Sequence, residues 1–238
     1  MRSSIVTRAF DAGRVWRRTV FGVLLAGALS GCAASGAKDP FAEGMGRDPT
    51  PRTLHMMSRL LDEQGKYAQA EYVLTRVIDE SPSYMPAYIE LAELMQRQGR
   101  LEEAASVLER AAGHAPRDPV PRNNLGVIRL EQQRFGAAAE AFTAAREADP
   151  REARYLSNHA LALALAGRED DAIALFTAAS SRAEALWNMG VIYESGGHYE
   201  KAAAAFRRAH ERDKTLGAMA EARRVAGLVT AAVETRSD

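Results

Sequence analysis

Residues Pro119 to Pro150 read PVPRNNLGVIRLEQQRFGAAAEAFTAAREADP. Leu125, Gly126, Val127 and Ile128 form a first apolar-to-small group, and Ala138, Phe142 and Ala145 follow at spacings of four and three, one face of a helix. Gln133, Arg134 and Phe135 mark a turn between two helices, and Pro150 stops the second. Arg122 and Arg129 stand where the first helix would otherwise be apolar.

A shift of 34 residues in either direction reproduces the pattern. With Pro119 as position one, position eight is small in each copy: Ser58, Ala92, Gly126, Ala160 and Gly190. Position twenty is Ala70, Ala104, Ala138, Ala172 and Ala202. Position twenty-four holds the large partner, as Leu74, Leu108, Phe142, Phe176 and Phe206, and position twenty-seven is Val77, Ala111, Ala145, Ala179 and Ala209. A closing proline recurs as Pro82, Pro116 and Pro150, and a turn glycine as Gly65, Gly99, Gly167 and Gly197, with Gln133 the exception. Small residues where antiparallel helices face each other bring the axes to the short end of the roughly 8–10 Å packing range. Large residues beside them fill the gap to the next pair.

This period and these residue classes resemble the tetratricopeptide repeat family. The resemblance implies an all-α, right-handed superhelical solenoid of five helix-turn-helix repeats starting at residues 51, 85, 119, 153 and 183 and filling 51–216. Residues 217–238 then form a capping helix and a frayed C-terminus, with Ala218, Ala222, Val225, Val229 and Ala232 on its apolar face. The last two repeats start only 30 residues apart. The second helix of repeat four is therefore expected to be about one turn short, with Ser181 and Glu184 as a capping box that starts the next helix directly. Thr50–Pro51 and Asp118–Pro119 carry the capping oxygen and N1 proline of helix starts.

Outside the repeats the chain reads differently. Residues 1–31 carry five arginines against one aspartate, then the apolar run Val20–Leu29, too short for a spanning helix of about 20 residues. The run ends in Leu29-Ser30-Gly31-Cys32, which resembles a bacterial lipobox and implies a cleaved signal peptide and a lipidated Cys32. Cys32 is the only cysteine, so a disulfide within the molecule is impossible. Two or more acyl chains give stable anchoring where one is marginal. Ala33 rather than aspartate after the cysteine implies delivery to the outer membrane, facing the periplasm. Residues 32–50 read as a lipidated flexible tether reaching roughly 20–25 Å, with Phe41 and Met45 its only large apolar residues.

Removing residues 1–31 leaves 26 basic and 30 acidic residues, a mild acidity that argues against nucleic-acid binding. No paired nucleophile and base, metal-ligand spacing or cofactor fingerprint is present, so the reading is a non-enzyme with no cofactor and no small-molecule substrate. His55 and His159 lie on first helices, where a satisfied or solvated histidine is expected.

The family resemblance places ligand contacts on the first helices, which line a concave groove. In repeats one and two it implicates Arg52, His55, Arg59, Ile89, Glu93 and Arg97. In the later repeats the candidate partner-binding residues are Asn123, Val127, Leu130, Ser157, Leu161, Trp187 and Val191, beside Arg154 and Glu194. The groove is thus expected to turn from charged near the anchor to apolar towards the C-terminus, with Trp187 as its hot spot. Asn124, Asn158 and Asn188 recur at position six, where helix packing or local hydrogen bonding is expected. Signal, lipobox, tether and five repeats, including NHALALALAGREDDAIALF, are similar in layout to tight-adherence pilus assembly lipoproteins and to pilotins. That similarity implies an adaptor for a secretin or another pilus component. A cell-envelope scaffold gathering peptidoglycan-processing enzymes or proteases is the alternative.

Overall fold

A computed structural model describes residues 49–234, with side chains as far as Leu228. The expectations for the signal, for Cys32 and for the tether to residue 48, like those for Val229, Ala232 and the end of the chain, lie outside these described residues. Eleven α-helices fill the rest: α1 Pro51–Glu63, α2 Tyr67–Glu80, α3 Met85–Arg97, α4 Leu101–His114, α5 Pro119–Glu131, α6 Phe135–Ala148, α7 Ala153–Leu165, α8 Glu169–Ala179, α9 Arg182–Ser195, α10 Tyr199–Arg212 and α11 Ala218–Glu234. A short 3₁₀ turn, Lys214–Leu216, precedes α11.

Each helix packs on the next along the chain, giving five antiparallel hairpins and a final helix on α10. The first helices of the hairpins also meet one another, α1 with α3, α3 with α5, α5 with α7 and α7 with α9. They therefore line the inner side of a curved stack, a solenoid.

The turn inside each hairpin is the same device. The N–H of Gly65 donates to the Asp62 carbonyl (2.9 Å) and that of Lys66 to the Leu61 carbonyl (2.8 Å), closing the last turn of α1 in a Schellman motif. Gly99, Gly167 and Gly197 repeat it with φ of 75°, 81° and 76°. Gln133 takes the same left-handed conformation at φ 58° without the freedom of glycine.

The hairpins start as their residues dictate. Thr50 Oγ1 accepts from the Thr53 N–H (3.2 Å), and Asp118 Oδ1 accepts from the Val120 N–H (2.9 Å). Glu152, which carries no clear sequence signal, caps α7 by accepting from the Arg154 N–H. The second helices are 14 residues long except α8, which has 11. It ends at Ala179, and Ser181 starts α9 by accepting from the Glu184 N–H at 3.1 Å. The Glu184 carboxylate accepts from the Ser181 hydroxyl rather than from its backbone N–H, so only half of the capping box is formed in the usual way.

The core falls into three blocks along the stack. Residues of α1–α5 from Leu54 to Ile128 form the first, residues of α6–α9 from Ala138 to Ile192 the second, and residues of α9–α11 from Leu186 to Val225 the third. The alanines at position twenty are fully buried in all five repeats. In α11, Ala218, Ala222 and Val225 close the last apolar face, and Arg224 ties the helix to Glu194 through a forked pair of bonds at 2.7 and 2.8 Å. Among the described residues no helix is long and apolar enough to cross a membrane.

Candidate functional site

Two hollows open between the first helices of the first three repeats. The larger, about 340 Å³, is walled by Met85, Pro86, Ile89 and Val120 and edged by His55, Glu90, Glu93 and Asp118. The smaller, about 160 Å³, is lined by Ile89, Ala92, Glu93, Gln96, Leu108, Asn124, Val127 and Ile128. Ile89 and Glu93 belong to both, so the hollows form one trough along α3 with α1 and α5 as its banks. The period of the first helix explains the arrangement. Positions five and nine stand one turn apart on one face, and in repeat two they are Ile89 and Glu93.

The trough is apolar on its floor and negative on its rim. Glu90 is held at 2.5 Å from Nε2 of His55, whose Nδ1 lies 3.2 Å from the Tyr84 hydroxyl. Glu93 has its pKa raised, first by loss of water and then by the negative charge of Glu90, with Arg97 opposing. Arg97 is itself committed to Asp62 across the hairpins, at 2.5 Å. Glu131, further along the same face, is likewise raised by burial, while a hydrogen bond from Gln96 opposes the shift. The larger hollow thus sets three carboxylates against one histidine, beside an exposed Val120.

The sequence-derived candidates divide. Val127 lines the smaller hollow and is half-buried; Leu130 is half-buried beside the second core block. Asn123, Ser157 and Leu161 are buried, at 6%, 2% and 7% exposure. Asn123 accepts from the Asn158 side chain (2.8 Å), and Ser157 donates back to the Ala153 carbonyl (2.8 Å), so these polar groups are spent on packing. Trp187 is half-buried with its ring edge-on to Phe206 at 5.2 Å, anchored in the third core block, and Val191 bridges the second and third. Neither hollow reaches them. These two hollows lie at the charged end of the groove, away from Trp187.

His159 is neither satisfied nor solvated. It is 8% exposed, and its Nε2 lies 3.1 Å from Thr143 Oγ1. Thr143 already donates its proton to the Ala139 carbonyl, so the histidine is the donor and its buried Nδ1 is left without a hydrogen-bond partner. Among the described residues no group of three or more His, Cys, Asp or Glu could hold a metal ion.

Family models of the tetratricopeptide repeat match residues 63–123, 123–183 and 183–216, end to end over more than half of the chain. The chain belongs to the tetratricopeptide repeat family. Its stack is therefore a protein–protein interaction scaffold, and the trough is that scaffold's concave face. The probable peptide N-acetylglucosaminyltransferase SPINDLY of Hordeum vulgare is 26% identical over 163 residues, 64% of this tetratricopeptide chain but 17% of SPINDLY. The chain thus spans about a sixth of that relative. Among solved structures, YrrB, described as a TPR protein with an unusual peptide-binding site, superposes with a TM-score of 0.53 at 19% identity over 72% of this chain and 91% of its own. MamA gives 0.55 at 18% identity over 69% and 92%. The Cut9–Hcn1 hetero-tetramer of the APC/C gives 0.51 at 17% over 73% and 36%. These three share the fold.

His55, Ile89, Glu93 and Val127 are among the expected groove residues, whereas Glu90, Asp118 and Val120 are not. Glu90 and Glu93 stand a turn apart beside Ile89 on a first helix, but only depth separates them from the many carboxylates on solvated faces.

Proposed function

We propose that this chain is a non-enzymatic, lipid-anchored adaptor of the cell envelope whose trough along α3 holds a segment of a protein partner. The observation that carries the reading is the trough itself: Ile89, Val120 and Val127 offer an apolar seat, and Glu90, Glu93 and Asp118 ring it with negative charge. A segment that sets a lysine or arginine next to a large apolar residue fits that surface best, since the cation would meet three carboxylates offset only by His55 beside Glu90 and by Arg97 near Glu93. Peptide binding by YrrB, as its description states, is a precedent for this use of a similar stack.

The anchor in this proposal is lipid on Cys32, placing the adaptor on the outer membrane and facing the periplasm. The partner is a secretin or another component of a tight-adherence pilus. The support is the lipobox-like Leu29-Ser30-Gly31-Cys32 and the layout of signal, tether and repeats.

The test places a photo-crosslinking residue at Val127 in the native organism, with a second at Trp187, and identifies what each captures. A secretin or pilus subunit captured at Val127 and lost on Glu93→Arg is the expected result. Cell-wall enzymes at the same site would give the envelope-scaffold role, and capture at Trp187 alone would overturn the trough. Labelling with palmitate that survives Cys32→Ser would overturn the anchor.

A further inference from the structure

Two pairs of consecutive first helices meet through the same two positions. Position five of one repeat touches position six of the next, 35 residues on, as His55 with Glu90 and as Asn123 with Asn158. The later pair is an amide contact, with Asn158 donating to Asn123 at 2.8 Å, and it ties α5 to α7 without charge. At the edge of the larger hollow the same contact is made by two groups that titrate. Packing alone does not require charge at these positions.

The neighbours of His55 fix its protons. A carboxylate only accepts, so Nε2, which lies 2.5 Å from Glu90 Oε2, carries a hydrogen. In the neutral ring Nδ1 is then the acceptor, and the Tyr84 hydroxyl, 3.2 Å away, donates to it. A second proton on Nδ1 asks only that the Tyr84 hydroxyl turn and accept, so both charge states fit the same frame. Tyr84 also braces the imidazole edge-on, with ring centroids 5.7 Å apart. The side chains of His55 and Glu90 are each only 18% exposed, which leaves their charges weakly screened.

Among the described residues, the other charges around His55 divide by element. From α3 comes Glu93, and Asp118 ahead of α5 shares the hollow with it. Arg97 of α3 is tied to Asp62 of α1. Arg52 and Arg59, a turn before and after on α1, are exposed, and the buried face of α2 is apolar throughout. With His55 neutral, the hollow is therefore edged by three carboxylates, Glu90, Glu93 and Asp118. With His55 protonated, Glu90 is matched by a cation at contact distance and the edge loses one negative charge.

We propose that His55 is a proton-operated gate on the trough: neutral, it leaves the charge of Glu90 to attract the lysine or arginine of a bound segment, and protonated, it cancels that charge and repels the segment. The gate rests on the trough being the binding face. Histidine is the side chain that changes charge between about pH 5 and 8. Linkage fixes the sign: a cation seated beside Glu90 disfavours protonated His55, so binding expels a proton and affinity falls as the pH falls. A partner is thus held at neutral pH and let go in acid.

The test follows a probe peptide, acetyl-Ala-Leu-Lys-Phe-Ala-amide, through the amide NMR shifts of Ile89 and Val127 in the full chain. The probe keeps its charge from pH 7.5 to 5.5. The unaltered chain is expected to bind it about tenfold more weakly at pH 5.5, the effect of cancelling one nearby charge. His55→Gln keeps an N–H for Glu90 but does not titrate, and its affinity is expected to stay level over the same range; His55→Asn, the shorter amide, gives a second and independent reading. Equal affinity of the unaltered chain at the two pH values would overturn the gate and leave the trough standing. Equal weakening with and without His55 would do the same, by assigning the effect to Glu93. Shifts absent from Ile89 and Val127 at both pH values would overturn the trough, and the gate with it.

Discussion

A Cβ built on Gly126 would stand 2.5 Å from Cε1 of Phe142, well inside the contact distance of a ring that is itself fully buried. Gly190 and Phe206 repeat the relationship at 2.7 Å. Position eight and position twenty-four are therefore one packing unit, filled as Gly with Phe in repeats three and five and as Ala with Leu in repeat two, Ala92 and Leu108.

Gly126→Ala is expected to destabilise the chain by up to about 2 kcal/mol, because overpacking of roughly 1–3 kcal/mol is set against a gain of about 1 kcal/mol in helix propensity. Combined with Phe142→Leu, which recreates the Ala92–Leu108 pair, the loss should fall well short of the sum of the single changes. Urea unfolding of the two single variants and the double variant measures the coupling.

His159 should make acid costly. Burial first, then the positive charges of Arg146 and Arg168, push its pKa down to about 4 from the ordinary 6.5, with Asp171 opposing. The unfolded chain takes up a proton below pH 6.5 while the folded one stays neutral until about 4. Stability is thus lost as the pH falls through that window, by at most about 1.4 kcal/mol per pH unit, and the loss levels off below it. Position seven is apolar in the other repeats, Met57, Leu91, Leu125 and Met189, so His159→Met should raise stability and flatten that limb. Urea midpoints at pH 7, 5.5 and 4.5 give the comparison.

Gln133→Gly is expected to stabilise the chain by about 1 kcal/mol. The left-handed backbone costs an ordinary residue roughly 1–2 kcal/mol, and glycine gives back part of that in unfolded-state entropy. A thermal melt of the variant that shows no rise would mean that the Gln133 side chain contributes more than its backbone costs.

Ser181→Ala should cost about 1 kcal/mol through the lost cap on α9. Because α8 already stops at Ala179, the loss should speed amide exchange in the first turn of α9 and leave α1–α6 unchanged. Exchange measured by mass spectrometry separates the two regions.

Glu93→Gln separates binding from folding. Its carboxylate is disfavoured in the folded chain, so losing the charge should leave stability equal or slightly higher. The same change should weaken a lysine- or arginine-bearing segment about tenfold, the effect of removing one charge-assisted contact of about 1.4 kcal/mol. Calorimetry on a captured partner peptide reads both quantities.

The hairpins were legible in the sequence because each rests on a local device: the glycine at φ near 75°, the proline after the second helix, the small residue under Leu or Phe. Even the missing turn of α8 showed in the spacing of 30. Access to solvent was not legible. Position five is half-buried and open at Ile89 yet buried at Asn123 and Ser157, because exposure there depends on how far one hairpin rotates on the next. No periodicity encodes that rotation. The orientation of Trp187, edge-on to Phe206, was not legible for the same reason.

The three core blocks have a consequence for how this molecule fails. The second and third interlock within α9, where Met189 and Ile192 belong to one and Leu186 to the other, whereas the trough sits beside the first, with Val127 alone of its lining packed on the second. A stack held by nearest neighbours melts by sections. Heat or load that strips α9–α11 can therefore leave the α1–α5 end, and whatever it holds, still in place.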